Sequence, residues 1–200
     1  MGRDARGGHE KTITWEDPAG LYTVDVFAYD KNDDRSNILS NQFEYLPQVG
    51  FAVDYTDVNY GNLAIGQGKR IYGNKFFKIS SDDSILPTIK NLGNTRIQIG
   101  IAQDDMGLGR LEDDSNWRVK FDARIGDLEN DWAIYRPFGV KGTTPNSNDF
   151  VPLLEKLDLS EIEEMDFSIL VNEKWPGNEA SYNGGMWLTA HQVVPQLCTD

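Results

Sequence analysis

The stretch Gly20-Leu-Tyr-Thr-Val-Asp-Val-Phe-Ala-Tyr29, running into Asp30-Lys-Asn-Asp-Asp-Arg-Ser-Asn37, decides how the chain is read. Tyr22, Val24, Val26 and Ala28 share one face, and a period of two is that of a strand with one wet face. The acidic and amide residues that follow are those of a turn. The same period recurs downstream. Ile97, Ile99 and Ile101 share a face with Arg96 and Gln98 outward; Trp117, Val119 and Phe121 alternate with Arg118, Lys120 and Asp122; Phe167, Ile169 and Val171 repeat the pattern. Turn signals separate these runs: Asp17–Gly20, Asn91–Asn94, Gly107–Gly109, Pro145–Asn148 and Asn183–Gly185. Short strands punctuated in this way predict an all-β, immunoglobulin-like antiparallel sandwich. One short helical element is expected around Leu153 to Met165, where Ser160 and Glu163 have capping-box spacing.

Organisation follows from punctuation. Residues 1–10, polar and Gly-rich, read as a leader. Residues 11–47 offer about three strands (Lys11–Trp15, Gly20–Tyr29, Ile38–Leu46), too few for the roughly seven of a complete immunoglobulin-like domain. Pro47 and Gly50 mark a boundary, residues 50–192 suffice for a second, complete sandwich, and 193–200 form a tail. A partial sheet leaves edges and a face uncovered, which invites pairing with another chain or with the neighbouring domain.

Composition excludes some functions. The 200 residues carry a formal charge of −13, the wrong sign for a protein that must neutralise phosphates, so no nucleic-acid partner is expected. No apolar run approaches the roughly 18–20 residues needed to span a bilayer, and no membrane insertion is expected. No signal peptide is recognisable. Cys198, the sole cysteine, excludes an internal disulfide and a cysteine zinc site.

Candidate sites are few. Asp30, Asn32 and Asp34, with Ser36, occupy alternate positions that could converge on a calcium ion. Arg35 stands where an EF-hand loop has Gly, and Asn41 where it has Glu, so the alternatives are a looser calcium site and a plain turn. Asp104-Asp105 and Glu112–Asp114, flanking Gly107–Gly109, form a second acidic cluster open to the same two readings. Cofactors are otherwise expected to be none. Trp117 and Trp132 are expected in the core. Trp15, Trp175 and Trp187 lie near turn signals, and exposed aromatics could stack on sugar rings, which makes carbohydrate the alternative ligand. The two histidines lie near opposite ends, no nucleophile elbow or zinc-protease motif occurs, and Gly66–Arg70 lacks phosphate-loop spacing; no enzyme is expected.

Residues 15–45, with Trp15–Asn32 and Asn41–Tyr45, resemble the closing strands of immunoglobulin-like or polycystic-kidney-disease-type repeats of archaeal and bacterial surface proteins, which share a P-x-G-x-Y-T-V-x-V-x-A-x-D hairpin. Where those repeats carry Asp-x-Asn-Gly-Asn, this sequence has Asp33-Asp34 in place of Gly-Asn. Asp54–Gly61, Pro87–Asn94, Asp166–Val171 and Tyr182–Ala190 resemble the turn and strand patterns of a second secreted sandwich module. The resemblance implies an extracellular, non-catalytic structural or interaction module of a cell-surface protein. Its implied partners are other protein modules or copies of itself, the latter through open strand edges.

Overall fold

The computed structural model describes residues 11–78, 86–111, 116–172 and 181–193. All regular elements among them are β-strands, apart from two single 3₁₀ turns at Glu129–Asp131 and Ser147–Asp149. The strands are β1 (Gly20–Val26), β2 (Leu39–Tyr45), β3 (Phe51–Val53), β4 (Gly68–Ile71), β5 (Thr88–Asn91), β6 (Ile97–Gln103), β7 (Val119–Ile125), β8 (Ala133–Tyr135), β9 (Val151–Leu157), β10 (Ile162–Val171) and β11 (Met186–Gln192).

Every pairing is antiparallel. β1 and β2 form a sheet of their own. The larger sheet has the order β3-β5-β10-β7-β8, with β4 also pairing β10; the smaller has the order β11-β6-β9. The period-two residues explain why these two sheets face each other. Ile97, Ile99 and Ile101 of β6 and Leu153 and Leu157 of β9 meet Val119, Phe121, Ala123 and Ile125 of β7 and Met165, Phe167 and Ile169 of β10 in one buried cluster. Two apolar faces closing on each other make the chain an all-β antiparallel sandwich.

Two expectations are corrected. The segment Leu153–Met165 is not helical: β9 ends at Leu157, a turn spans Asp158–Glu161, and β10 begins at Ile162. In the turn, the Glu161 carboxylate accepts from Asp158 N at 2.6 Å and Glu161 N donates to Asp158 O at 3.2 Å. Ser160 sits at φ 59°, outside any helix. The turn carries the chain from the smaller sheet to the larger, so Leu153, Leu157 and Met165 reach one core from two strands. The second correction concerns Lys11–Trp15, which is not a strand. Thr14 N donates to the Asp17 carboxylate at 2.9 Å, Asp17 N donates to Thr14 O at 3.0 Å, and Lys11 pairs with Asp17 at 2.7 Å.

The larger sheet is also packed on its outer side. Arg124 and Asp166, both buried, form an ion pair at 2.7 Å with a second contact through Nε at 2.8 Å. The other Asp166 oxygen accepts from Gly73 N at 2.7 Å. A Cβ on Gly73 would lie 2.1 Å from Pro87 O, so the backbone approach that makes this bond requires glycine. Trp132 is half-buried, not a core residue: the Arg70 and Arg124 guanidinium groups lie 4.7 and 4.8 Å from its ring. Trp117 is buried with the Arg110 guanidinium 4.6 Å from its ring.

Candidate interaction surface

β1 and β2 pair in uninterrupted register from Gly20↔Tyr45 to Val26↔Leu39. Alternation therefore sorts their side chains strictly. One face carries Tyr22, Val24 and Val26 with Tyr45, Phe43, Asn41 and Leu39, apolar but for Asn41; the other carries Leu21, Thr23 and Asp25 with Glu44, Gln42 and Ser40, polar but for Leu21. The polar face is knit by Ser40 donating to Asp25 at 2.5 Å and Gln42 donating to Thr23 at 3.3 Å. On the apolar face Tyr22 stacks on Phe43 with ring centroids 5.4 Å apart. That face is uncovered: Val24 is 46% exposed, Val26 57%, Leu39 66% and Phe43 39%.

The hairpin is nonetheless well made. The Tyr22 hydroxyl donates to Pro18 O, four residues upstream, at 2.5 Å, the bond of a tyrosine corner in immunoglobulin-type sandwiches. Asn94, buried in the turn before β6, fastens the base of the hairpin. Its side-chain nitrogen donates to Leu46 O at 3.0 Å, its side-chain oxygen accepts from Gln48 N at 2.5 Å, and its carbonyl accepts from Ala19 N at 2.8 Å. Its backbone nitrogen donates to Gln48 O at 3.1 Å. Trp15, 42% exposed, lies with its ring 5.8 Å from the Lys90 ammonium of β5. Thus the hairpin is tied to the sandwich at one end while its apolar side stays open.

The loop joining β1 to β2 holds the first candidate cation residues. One Asp30 carboxylate oxygen accepts from Asn32 N at 2.7 Å and from Asp34 N at 3.1 Å. Asp30 N donates to Asp34 O at 3.0 Å, Asp33 takes φ 65°, and Tyr29 bridges Arg35. Asp30 thereby does what Asx residues do in turns, while the exposed Asn32 and Asp34 add no side-chain bond to it. Among the described residues no three His, Cys, Asp or Glu side chains are grouped to hold a metal.

The second acidic cluster is organised differently from the expectation. Asp104 and Asp105 are buried, and each is consumed by backbone donors. Asp104 accepts from Met106 N at 2.9 Å, Gly142 N at 3.2 Å and Gly185 N at 3.0 Å. Asp105 accepts from Gly107 N at 2.8 Å, Gly109 N at 3.0 Å and Lys141 N at 2.6 Å. These carboxylates replace water for the amides of three loops, and so fix the chain's approach to β11. Glu112–Asp114 lie outside the described residues.

Of the candidate sugar-stacking tryptophans, Trp15 and Trp187 lie at different sheets. Trp187, half-buried on β11 of the smaller sheet, packs edge to face on Phe138 at 5.5 Å. Trp15 lies against β5 of the larger sheet, and Trp175 is outside the described residues. The shallow cleft beside the β7 end is acidic, lined by Asp127, Asp131, Glu155, Glu161 and Glu163, with Lys75 paired to Glu163 at 2.7 Å.

No described helix is long and apolar enough to cross a membrane. No protein-family model matches the chain, and no curated protein matches it. Among solved structures it is similar to a chain of the CsuC–CsuE chaperone–tip adhesion subunit pre-assembly complex from archaic chaperone-usher Csu pili of Acinetobacter baumannii. The two are 12% identical with a TM-score of 0.34, and the match covers 79% of this chain and 44% of that one.

Proposed function

We propose that the chain is a non-catalytic structural and interaction module of an extracellular, cell-surface protein, joined to its neighbours through β-structure. The observation that carries this reading is the apolar face of the β1–β2 hairpin. Two strands with one hydrophobic face are marginal alone and need a further layer to bury it. The sandwich leaves that face open, so the covering layer belongs to a strand-bearing segment of another module. The tyrosine-corner bond at Tyr22 supports the immunoglobulin-like reading of this hairpin as the closing strands of such a layer.

The use of the buried polar groups supports a structural role. Asp104 and Asp105 hold loops, Asp166 holds Arg124 and Gly73, and Asn91 donates to Thr95 O, Leu157 O and Asp158 O while accepting from Gly93 N. Each buried side chain in these networks binds the chain's own backbone or its ion partner.

The test places a photoreactive phenylalanine analogue at Phe43, on the apolar face, or at Gln42, on the polar face, in cells that make the protein. Adducts from position 43 in the cell-surface fraction, mapping to a β-strand segment of another module, with few from position 42, are expected. Equal labelling from both faces, or a chain confined to the cytosol, would overturn the reading.

A further inference from the structure

We infer that the edge of β11 left unpaired among the described residues is a self-association site, at which two copies of this chain pair antiparallel about Thr189 and join their three-stranded sheets into one of six strands. This deepens the reading of the chain as an interaction module and rests on it, but it uses a different surface from the hairpin face.

The hydrogen-bond pattern defines what the edge offers. Asp104 N donates to Gly185 O and Val193 N to Arg96 O at the two ends of the β11–β6 ladder. In an antiparallel pair such bonds alternate, so Trp187, Thr189 and His191 also direct their backbone groups to β6. Met186, Leu188, Ala190 and Gln192 therefore direct theirs outward, where no described strand pairs with them.

Natural sheets blunt such edges, and the other described strand edges of this chain are blunted. β9 carries Pro152, a register irregularity opposite Gln98–Gly100, and the charges of Glu155 and Lys156. β4 has four residues, including Lys69 and Arg70, while β3 and β8 have three residues each. β1 and β2 carry Asp25 and Glu44. β11 has seven residues, Met-Trp-Leu-Thr-Ala-His-Gln, with no Pro, Gly, Asp, Glu, Lys or Arg, and pairs β6 without a bulge.

Charge restricts where a second copy can pair. A second copy brings another −13 charges, and like charges facing each other across a strand pair oppose association. At β11 that conflict is absent. The strand is also self-complementary when centred on Thr189. Leu188 faces Ala190 of the second copy and Met186 faces Gln192, and these are the residues whose backbone groups point outward, so all seven positions pair. Trp187 meets His191 on the outer face. Thr189 meets itself in a non-hydrogen-bonded pair, where Cα atoms lie about 4.5 Å apart.

The geometry gives a register-specific test. Ala190→Pro removes an outward donor and no bond to β6, which a sheet edge tolerates. Thr189→Cys in a Cys198→Ser background places two thiols across the two-fold axis within disulfide reach. The wild-type chain at hundreds of micromolar is expected to double its light-scattering mass from 22.6 kDa, more readily at high salt as repulsion is screened. Ala190→Pro should return it to monomer with its circular dichroism intact, and Thr189→Cys should give a covalent dimer on mild oxidation, whereas Gln192→Cys should not. A wild-type monomer throughout, or a dimer that persists in Ala190→Pro without cross-linking at position 189, would overturn the inference. Such a persistent dimer would leave the interaction-module reading standing, because the copies would then meet elsewhere; loss of face-selective labelling at Phe43 would remove that reading independently.

Discussion

Replacing Val26 by Lys and Leu39 by Glu together tests whether the hairpin's apolar face is open. The two residues are directly opposite in the β1–β2 register, at 57% and 66% exposure. Full burial of a Val or Leu side chain contributes about 1.5–3 kcal/mol. Less than half of each is covered, so their burial contributes about 1 kcal/mol apiece at most. Opposite charges placed across the strands return roughly 0.2–1 kcal/mol, against a strand-propensity loss of up to about 1 kcal/mol. The double variant should therefore lose less than about 2 kcal/mol. Leu153→Ala, at a fully buried position facing the other sheet, should lose about 2–5 kcal/mol. Urea unfolding followed by tryptophan fluorescence, with buried Trp117 as an internal reporter, compares the two. A hydrophobic dye that binds the wild-type chain should bind the double variant less. A loss above about 3 kcal/mol in Val26→Lys/Leu39→Glu, with no change in dye binding, would refute the reasoning, since it would mean that another part of the chain covers this face.

Three further predictions concern the body of the sandwich and its loops. Arg124→Met strands the fully buried Asp166 carboxylate and should cost about 3–5 kcal/mol in denaturant unfolding, while Arg124→Met/Asp166→Leu should cost less than the two single changes added together; strict additivity would contradict the coupling. Burial raises the carboxyl pKa of Asp122, against a Ser168 hydrogen bond and the Arg70 and Lys120 charges, and burial with the charges of Asp166 and Asp127 raises that of Glu164. Both then hold protons in the folded state at pH values where the unfolded chain, with ordinary values of 3.8 and 4.5, has released them. Their contribution to stability is lost as pH rises through that interval, so Asp122→Asn/Glu164→Gln should gain more in melting temperature at pH 7 than at pH 4; an equal or reversed gain would contradict the sign. Because Asp30 already caps its own turn, excess calcium should leave the melting temperature where chelator leaves it, and a clear upward shift would make Asp30, Asn32 and Asp34 ion ligands by mass action.

The strands were legible because a half-buried strand writes its geometry into every second residue. Ile97, Ile99 and Ile101 could not share a helix face, and all three are buried together. Leu153–Met165 differs because its helical signal is the capping-box spacing of Ser160 and Glu163, which here falls on the turn between β9 and β10, with Ser160 at φ 59°. Only the long-range partners, Gly100 and Ile101 for β9 and the β7 residues for β10, settle the matter, and such pairings are invisible locally.

The sites divide along the same line. The strand deficit of residues 11–47 was visible, and it points to the open face, although the structure supplies two paired strands where three were expected. The fates of Asp104 and Asp105 were hidden because their donors come from residues 142 and 185 as well as from their own loop. A buried aspartate that binds amides and an exposed one that binds a cation have the same local sequence. The β11 edge was hidden as well: Met186–Gln192 looks like any half-buried strand until its one described neighbour is known to be β6.

The most direct test of the account is hydrogen–deuterium exchange on the dilute, purified chain, compared with the same chain bound to the module identified by cross-linking at Phe43. The account predicts that β1 and β2 amides exchange with little protection in the free chain, while β6, β7 and β10 are protected to near the global stability, and that protection appears in β1 and β2 on binding. Full protection of the hairpin in the free monomer, unchanged by the bound module, would contradict it.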